Sequence, residues 1–263
     1  GTTARRWRKI LKMSTKKGPR ASRHPARPAP RPHPSRNSSA SVAAEEETPD
    51  AESGTEGGLI DRIRAREARV AVIGLGYVGL PLACEFARAG FTVQGIDVDG
   101  AKIESLKSGS SHVKDVADER LRPLIQSETI RPTGDFSVLA RCDAVIICVP
   151  TPLRKTRDPD ISYIVAAVDE IARHLHRGLL VVLESTTYPG TTEEVILPKL
   201  EATGLKAGRD FFLAFSPERV DPGNPRFDTR NTPKILGGVT LACGRVARAL
   251  YEPAIERIIP VSS

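Results

Sequence analysis

The sequence has few of the residues that build structural metal sites or disulfide frameworks. Among its 263 residues there are four cysteines, and no two of them form a CxxC pair. This spacing argues against zinc-binding and thioredoxin-like classes. Cys142 and Cys148 flank one predicted strand and are about 20 Å apart at the rise of a strand, which is too far for a disulfide. We expect buried, reduced thiols, as is usual in cytoplasmic proteins.

Long apolar runs are also absent. No stretch reaches the length of a membrane-spanning helix, and the N-terminal segment has no apolar core of the kind found in signal peptides. Both observations predict a soluble, cytoplasmic protein without membrane association.

Acidic residues are missing from residues 1–40, which contain 12 Lys and Arg. The rest of the chain has 27 basic and 32 acidic residues, so the net charge of +7 belongs to this tail and not to the folded body. A basic tail can bind nucleic acid by neutralising phosphates. Its one aromatic residue is Trp7, so a solvated tail is favoured over a nucleic-acid-binding arm.

The composition divides the chain near residue 57. Residues 1–57 are rich in Arg, Pro and Ser and later in Glu, and such a segment buries too little apolar surface to offset its ordering entropy. We predict a disordered tail over 1–57 and a folded domain over 58–263. A short helix over 59–67 is expected to lead into the first strand.

From residue 69 onward, apolar strands alternate with helical patterns. Strands are predicted in "RVAVIGLG", "FTVQGIDVD", "DAVIICV" and "GLLVVLEST". Between or after them, "YVGLPLACEFARAG", "GAKIESLKSG" and "ISYIVAAVDEIARHL" have helical spacing. Strands that are apolar throughout and alternate with helices indicate a mostly parallel sheet covered on both faces. The predicted fold class is therefore α/β, doubly wound, of the Rossmann type.

The first strand runs into a GxGxxG sequence that opens the first helix. Gly74 permits the tight turn, Gly76 lets a pyrophosphate approach the backbone, and Gly79 lets the helix pack against the strand. Asp97, at the end of the second strand, can accept both ribose hydroxyls of NAD and would repel the 2′-phosphate of NADP. The alternative is that Asp97 caps the next helix, a role that Asp99 could also fill.

Three further motifs follow later strands. "CVPTP" carries Thr151, which could bind the cofactor or lie in a simple proline turn. "ESTTYPGTTEE" has Thr191 or Thr192 in position to cap a following helix. "FSPERVDPGN" places Glu218 in a proline-rich turn. Each motif alone is equally consistent with a purely structural turn and with a functional site.

Together these motifs resemble the N-terminal domain of the UDP-glucose/GDP-mannose dehydrogenase family. "GLGYVGLPLA", "DVD…K", "CVPTP", "DPDISYI", "ESTTYPGTTEE", "FSPERVDPGN" and "NTPKILGGVT" occur in the family's order over roughly residues 67–263. The segments "SPERVDPGN" and "PKILGG" are most similar to those of the family branch that acts on UDP-N-acetylglucosamine and related UDP-N-acetylhexosamines.

The resemblance implies a four-electron oxidation of the sugar C6 alcohol to a carboxylate by two NAD molecules in turn, through a covalent cysteine adduct. By this resemblance Thr186 orients water or a base, and Glu218 serves in acid–base work beside the nicotinamide and sugar. The positions that would contact the cofactor are Gly74, Gly76, Tyr77, Val78, Gly79, Asp97, Lys102, Thr151 and Thr186. Those that would line the sugar are Glu218, Arg219 and Val220.

One position departs from the family pattern. The UDP-glucose branch has a second glutamate four residues after the first, where this sequence has Pro222. Its role cannot be transferred here. The resemblance also implies that the central helix, the nucleophilic cysteine and the dimer-forming segment lie beyond residue 263. The fragment is then expected to bind NAD weakly or moderately and to turn nothing over. Its full-length parent is expected to use a UDP-sugar as substrate and to form a homodimer or larger assembly.

Two alternatives remain open from the sequence. One is a free-standing NAD-binding regulatory module, which predicts a polar surface near residues 250–263 where an enzyme fragment would expose an apolar patch. The other is a different NAD-dependent dehydrogenase, of the 3-hydroxyacyl-CoA or 6-phosphogluconate type. The "ESTTYPGTTEE" and "FSPERVDPGN" motifs argue against the second.

Overall fold

The computed structural model describes residues 49–153, 159–219 and 226–262, with side chains described from Thr55 to Val261 within those ranges. Its strands form one eight-stranded sheet. The strands are β1 (Arg69–Ile73), β2 (Thr92–Ile96), β3 (Ile130–Thr133), β4 (Ala144–Ile147), β5 (Leu180–Leu183), β6 (Phe212–Phe215), β7 (Lys234–Gly238) and β8 (Ile258–Ser262).

Helices connect most of these strands. The α-helices are α1 (Pro49–Arg64), α2 (Gly79–Arg88), α3 (Gly100–Lys107), α4 (Asp118–Gln126), α5 (Ser162–His174), α6 (Leu197–Glu201) and α7 (Leu241–Tyr251). A 3₁₀ helix covers Phe136–Arg141, and a π-helical turn, Thr191–Ile196, precedes α6. Within the described ranges, no helix is both long enough and apolar enough to cross a membrane.

The strand order is β3-β2-β1-β4-β5-β6-β7-β8. All neighbouring strands are parallel except β6 and β7. Ile73 at the end of β1 pairs with Ile96 of β2 and with Ile147 of β4, so the carboxyl ends of these strands are level. β2 and β4 lie on opposite sides of β1, which creates the crevice where doubly wound sheets bind ligands. The predicted fold class is confirmed.

Both faces of the sheet are covered, because alternate residues of each buried strand point to opposite sides. In β1, Val70 and Val72 pack into the core on the side of α2 and α7, whereas Ala71 and Ile73 pack into the core on the side of α5. All four side chains are buried. The continuous apolar strands seen in the sequence therefore indicate burial on two faces and not on one.

Helix α1 differs in extent from the predicted helix over 59–67. It begins at Pro49, inside the predicted tail, and ends at Arg64. Leu59 and Ile63, one helical turn apart, are buried in the core beside α7, and Glu56 accepts two hydrogen bonds from Arg245 of α7, at 2.6 and 2.9 Å. This tertiary packing explains a helix that composition alone did not predict. Residues 1–48 of the predicted tail lie outside the described residues.

Candidate functional site

A cleft of about 760 Å³ opens at the carboxyl edge of the sheet. The loops that follow β1, β2, β4, β5 and β6 all contribute to it, because these strands end at the same edge. It is lined by Ile73, Gly74, Gly76, Tyr77, Val78, Ile96, Asp97, Val98, Asp99, Gly100, Lys102, Phe136, Cys148, Val149, Pro150, Thr151, Tyr163, Glu184, Ser185, Thr186 and Glu218.

The three glycines of the first turn have different structural roles. Gly74 adopts a left-handed φ of +95°, and a Cβ there would lie 2.6 Å from the carbonyl oxygen of Cys148. A Cβ at Gly79 would lie 1.9 Å from the carbonyl oxygen of Gly74, so helix and turn pack at backbone contact. A Cβ at Gly76 would meet no atom within 4 Å, although Gly76 lines the cleft. Among the three glycines of this turn, Gly76 is the one whose missing side chain leaves space for a ligand.

The start of α2 also suits an anionic ligand. Val78 occupies the N-cap position without a side-chain capping hydrogen bond, and the first turn contains no acidic residue. An uncapped helix N-terminus presents N–H groups and the positive end of the helix dipole. Tyr77, just before it, is 59% exposed, which leaves the turn accessible. The geometry fits the pyrophosphate of a dinucleotide.

Asp97 is a buried carboxylate at the end of β2. Its Oδ2 accepts a hydrogen bond from the Leu75 N–H (2.9 Å), and its Oδ1 accepts one from the Asp99 N–H (3.0 Å). Lys102 Nζ lies 3.7 Å from Oδ2. Asp99, and not Asp97, is the N-cap of α3, accepting hydrogen bonds from the amides of Ala101 and Lys102. The capping alternative for Asp97 is therefore wrong, and its carboxylate is tied to the glycine turn.

An Asp97→Asn variant is expected to bind NAD about 10- to 100-fold more weakly, because hydrogen bonds to a charged group contribute about 1.5–3 kcal/mol. Loss of the negative charge removes repulsion of a 2′-phosphate, so NADP affinity should fall less. Calorimetric titration with both cofactors measures the ratio of the two dissociation constants. The control is Asp99→Asn, since asparagine also caps helices well; the cofactor assignment of Asp97 is wrong if both variants keep the wild-type ratio.

The loops after β4 and β5 are joined to each other across the floor of the cleft. Thr151 Oγ1 donates a hydrogen bond to the carbonyl oxygen of Thr186 at 2.6 Å, and Ser185 Oγ donates one to that of Val149 at 2.8 Å. The hydroxyl proton of Thr151 is thus donated within the protein, although Thr151 is one of the residues that line the cleft. These bonds hold the exposed side chain of Thr186 at the cleft wall.

The expected side-chain cap after the β5 loop is not present. Gly190, with a left-handed φ of +88°, occupies the N-cap position of the π-helical turn, and no side chain caps it. Thr191 Oγ1 instead donates a hydrogen bond to the carbonyl oxygen of Tyr188 (2.9 Å). The glycine conformation starts the turn one residue earlier than the threonine pattern indicated.

The motif after β6 reaches the cleft with one of its three predicted sugar-lining residues. The Glu218 side chain is 9% exposed and lines the cleft, and its Oε1 accepts a hydrogen bond from the Arg219 N–H at 2.7 Å. Arg219 is exposed and is not among the lining residues. Val220 lies outside the described residues, as do Asp221 and Pro222. Gly79 likewise does not line the cleft; its role is the helix packing described above.

Behind Glu218 lies a buried ionic cluster made of Glu184, Lys234, Glu218 and Tyr251. Lys234 Nζ donates a hydrogen bond to Glu184 Oε2 (2.6 Å) and lies 3.7 Å from Glu218 Oε2. Tyr251 donates its hydroxyl proton to Glu184 Oε1 at 2.7 Å. Glu184 and Tyr251 are fully buried and Lys234 is 3% exposed. Both oxygens of Glu184 are therefore paired, as burial of a carboxylate requires.

Burial and charge act in opposite directions in this cluster. Burial raises the pKa of Glu184, and the charge and hydrogen bonds of Lys234 and Tyr251 only partly offset it. Burial lowers the pKa of Lys234, but the carboxylates of Glu184 and Glu218 more than compensate, so this pKa lies above its ordinary value. Lys234 is consequently a cation throughout the neutral range.

All four cysteines are free and buried, as expected from the sequence. Cys148 lines the cleft, but burial raises the pKa of its thiol well above the ordinary value, with the charge of Glu184 acting in the same direction. A thiol must ionise to act as a nucleophile. Among the described residues no group of three or more His, Cys, Asp and Glu side chains is arranged to hold a metal ion.

Sequence reasoning did not identify Glu184, Lys234 and Tyr251 as site residues. Glu184 follows directly on β5, and Lys234 is the first residue of β7. A charged residue at the end of an otherwise apolar strand is the signal that could have identified both. Tyr251 lies at the end of α7, and nothing in its local sequence indicates that its hydroxyl reaches a carboxylate of β5.

Comparison with known proteins matches this chain to one family. Residues 68–255 match the NAD binding domain of the UDP-glucose/GDP-mannose dehydrogenase family. The chain is 38% identical over 189 residues to the UDP-N-acetyl-D-mannosamine dehydrogenase of Pyrococcus horikoshii, covering 72% of this chain and 45% of that protein. It is 36% identical over 191 residues to the UDP-N-acetyl-D-glucosamine 6-dehydrogenase of Salmonella typhi, covering 72% and 44%.

A solved structure of the Pyrococcus horikoshii enzyme superposes with a TM-score of 0.70 at 38% identity, covering 74% of this chain and 47% of that one. The chain thus spans about half the length of the curated relatives that it matches. The matched half contains the glycine turn, Asp97, Thr186 and Glu218. The chain belongs to the UDP-glucose/GDP-mannose dehydrogenase family and contains that family's NAD-binding domain.

Proposed function

We propose that this chain is the NAD-binding part of a nucleotide-sugar 6-dehydrogenase that oxidises the C6 alcohol of a UDP-N-acetylhexosamine to the carboxylate for polysaccharide synthesis. Both relatives described above are named as dehydrogenases of such sugars. The observation that carries the proposal is that Thr186 and Glu218, from separate loops, line the same cleft as the glycine turn and Asp97. Cofactor and reacting groups would then meet in one crevice.

The overall reaction converts one alcohol, two NAD⁺ and one water into a carboxylate, two NADH and three protons. NAD, when bound, supplies the acceptor for the hydride from C6. The residues of this chain would bind the cofactor in the cleft. Gly76 and the start of α2 would hold the pyrophosphate, and Asp97 would hold the adenosine ribose. Lys102, beside Asp97, would lie near the same ribose.

Thr186 and Glu218 are the residues that we propose for catalysis. The exposed Thr186 hydroxyl can orient a water molecule or the sugar hydroxyl, since its loop is held by the Thr151 hydrogen bond. Glu218 offers a carboxylate oxygen for accepting a proton as the alcohol or the attacking water loses it. Arg219 and Val220 are proposed to contact the sugar, from the resemblance of their motif alone.

The covalent step needs a thiolate, and the four cysteines of this chain are unsuited to it because all are buried. We propose that the nucleophile belongs to the part of the relatives that this chain does not match, as does the dimer-forming segment. On this proposal the chain binds NAD but completes no oxidation by itself. Incubation with NAD and UDP-N-acetylglucosamine or UDP-N-acetylmannosamine should produce no NADH, whereas a longer polypeptide carrying the second half should produce two NADH per sugar.

A regulatory module that only binds NAD is the second candidate. The exposed apolar residues Ile259 and Val261 of β8, 39% and 38% exposed, favour the enzyme over this alternative, since they lie where the module predicts a polar surface. A longer polypeptide that binds NAD but oxidises neither UDP-sugar would favour the module.

Gly76→Ala tests the cofactor site without disturbing the fold. A Cβ at this position contacts nothing in the protein, so the free energy of unfolding should stay within about 0.5 kcal/mol of wild type. A methyl group between backbone and pyrophosphate should weaken NAD binding by about 10- to 100-fold, the equivalent of about 1–3 kcal/mol of steric strain.

Isothermal titration calorimetry with NAD and thermal denaturation measure both quantities. Gly58→Ala is the matched control, because a Cβ there also has open space but lies on α1, away from the cleft. Unchanged NAD affinity in the Gly76→Ala variant would refute the proposed pyrophosphate position.

A further inference from the structure

A second cavity lies toward the amino edge of the sheet, away from the cleft. It has a volume of about 400 Å³ and is lined by Arg69, Thr92, Gln94, Arg131, Val138, Arg141 and Cys142. Arg69 and Thr92 are the first residues of β1 and β2, whereas the cleft opens at the other ends of these strands. No described residue lines both cavities. We call this second cavity the arginine pocket.

The floor of the arginine pocket is a polar part of the sheet. Thr92 and Gln94 share a face of β2 with Ile96, because alternate residues of a strand point to the same side, and Ile96 packs into the core on the side of α5. Arg69 pairs with Thr92, and Arg131 pairs with Gln94, on the neighbouring strands. A sheet face that is covered by the rest of the fold is usually apolar. The polar floor is therefore suited to a polar ligand.

Most polar groups of the pocket have no partner within the part of the chain that the structure describes. The side chains without a hydrogen bond or an ion pair to any described residue are those of Arg69, Thr92, Gln94 and Arg141. Nη2 of Arg131 lies 3.0 Å from Oε2 of Glu128, but both side chains are more than half exposed, and surface pairs of this kind contribute little. Of the described residues that line the pocket, none is acidic.

Two of the arginines act on the same buried thiol at the pocket wall. Burial raises the pKa of Cys142 to about 11 and the charge of Asp143 acts in the same direction, whereas the charges of Arg69 and Arg141 oppose this shift. The carboxylate of Asp143 already accepts hydrogen bonds from the Arg69 N–H and from Arg62, at 2.7 and 3.1 Å. Two guanidinium groups, from β1 and from the 3₁₀ helix, thus bring positive charge to one small cavity.

We propose that the arginine pocket binds a small ligand through a phosphate or diphosphate group. A guanidinium group matches phosphate oxygens with paired N–H donors, and the amide of Gln94 and the hydroxyl of Thr92 can donate to the remaining oxygens. The volume lies within the range of about 300–1,000 Å³ that is usual for small-molecule sites.

This site is separate from the cofactor cleft, and the inference does not rest on the proposed function. Arg69 and Ile73 stand at the two ends of β1, and Ile73 lines the cleft. At the rise of a strand they are about 13 Å apart. We therefore expect the arginine pocket and the cleft to be occupied at the same time.

A double variant, Arg69→Gln with Arg141→Gln, tests the site. Calorimetric titration of the whole chain with pyrophosphate, in phosphate-free buffer and with NAD saturating so that the glycine turn is occupied, should show one pyrophosphate bound. The double variant should bind it about 100-fold more weakly, since each hydrogen bond from a charged group contributes about tenfold or more. Its NAD affinity should stay within about twofold of wild type. Arg248→Gln, which removes an exposed charge on α7 at the other face of the sheet, is the matched control.

Gln94→Leu separates binding inside the pocket from attraction to exposed charge. It keeps all three arginines but removes the amide from the floor, so pyrophosphate should bind about tenfold more weakly. An anion attracted only to the arginine side chains would bind this variant as it binds the wild type, and that result would overturn the proposal. So would equal affinity of the wild type and the double variant.

UDP in place of pyrophosphate identifies the source of the phosphate group. UDP binding that the double variant loses would assign the pocket to nucleoside diphosphates. UDP binding that is absent, or that the double variant keeps, together with pyrophosphate binding that it loses, would assign the pocket to inorganic phosphates. Both results support a phosphate site, whereas a wild-type chain that binds neither compound refutes it.

Discussion

Lys234→Met should lower the free energy of unfolding by about 3–5 kcal/mol at neutral pH, the usual cost of removing one partner from a buried ion pair. Methionine has nearly the volume of lysine and leaves no large cavity. The loss comes from Glu184, which is fully buried and would keep only the Tyr251 hydrogen bond. Chemical denaturation in urea measures the change.

The destabilisation of this variant should grow with pH. Burial already raises the pKa of Glu184 above its ordinary value, and the charge of Lys234 has the largest opposing effect on this pKa. Removing Lys234 raises that pKa further. A carboxyl whose pKa is higher in the folded than in the unfolded state binds more protons when folded, so its stability contribution is present at low pH and is lost as the pH rises through the folded-state pKa.

Glu184→Gln combined with Lys234→Met provides the matched control. Glutamine removes the uncompensated charge and still accepts the Tyr251 hydrogen bond, so the double variant should be more stable than Lys234→Met alone. Its stability should also lose the added pH dependence. A double variant as unstable and as pH-dependent as the single one would show that the penalty does not come from the buried carboxylate.

Gly79→Ala is expected to destabilise the protein by about 3 kcal/mol, at the upper end of the cost of overpacking. The new Cβ would lie 1.9 Å from the carbonyl oxygen of Gly74. No rotamer change can relieve a contact between a Cβ and backbone. Relief would need α2 to move away from the turn, so NAD binding should be lost as well.

Gly76→Ala, three residues earlier, is the natural comparison. It should lose affinity and keep stability, whereas Gly79→Ala should lose both. Thermal denaturation and NAD titration of the two variants distinguish the two roles. Gly76 leaves space for a ligand, whereas Gly79 allows α2 to pack closely against the turn. Wild-type stability in Gly79→Ala would contradict the described packing of α2 on the turn.

Local patterns predicted the parts of the fold that depend on neighbouring residues. β1, β2, β4 and β5 lie within the predicted apolar runs, because those runs are buried on both faces. The helical segments "YVGLPLACEFARAG" and "GAKIESLKSG" close with Gly90 and Gly109, which have left-handed φ of +97° and +76° just after the ends of α2 and α3. Helix α1 was underestimated, because its stability comes from packing against α7 and the Arg245 ion pair, which no local pattern encodes.

The candidate site also has a part that local patterns predicted and a part that they did not. The glycine turn and Asp97 belong to one β–α–β unit, so their spacing along the chain nearly determines their geometry, and the sequence predicted both. Glu184 and Lys234 are separated by 50 positions and Glu184 and Tyr251 by 67. They meet only because β5, β6 and β7 are neighbours in the sheet and α7 packs against these strands.

The amino-acid sequence by itself thus determined the fold class, the family and the dinucleotide turn, because each depends on short local patterns and on their order along the chain. The tertiary structure alone decided that Asp97 binds the turn while Asp99 caps the helix, and that Arg219 is not among the residues that line the cleft. It also decided that a buried lysine holds two carboxylates at the cleft wall. Those outcomes depend on which strands lie side by side and on how completely they exclude water, because burial is what makes a charge require a partner.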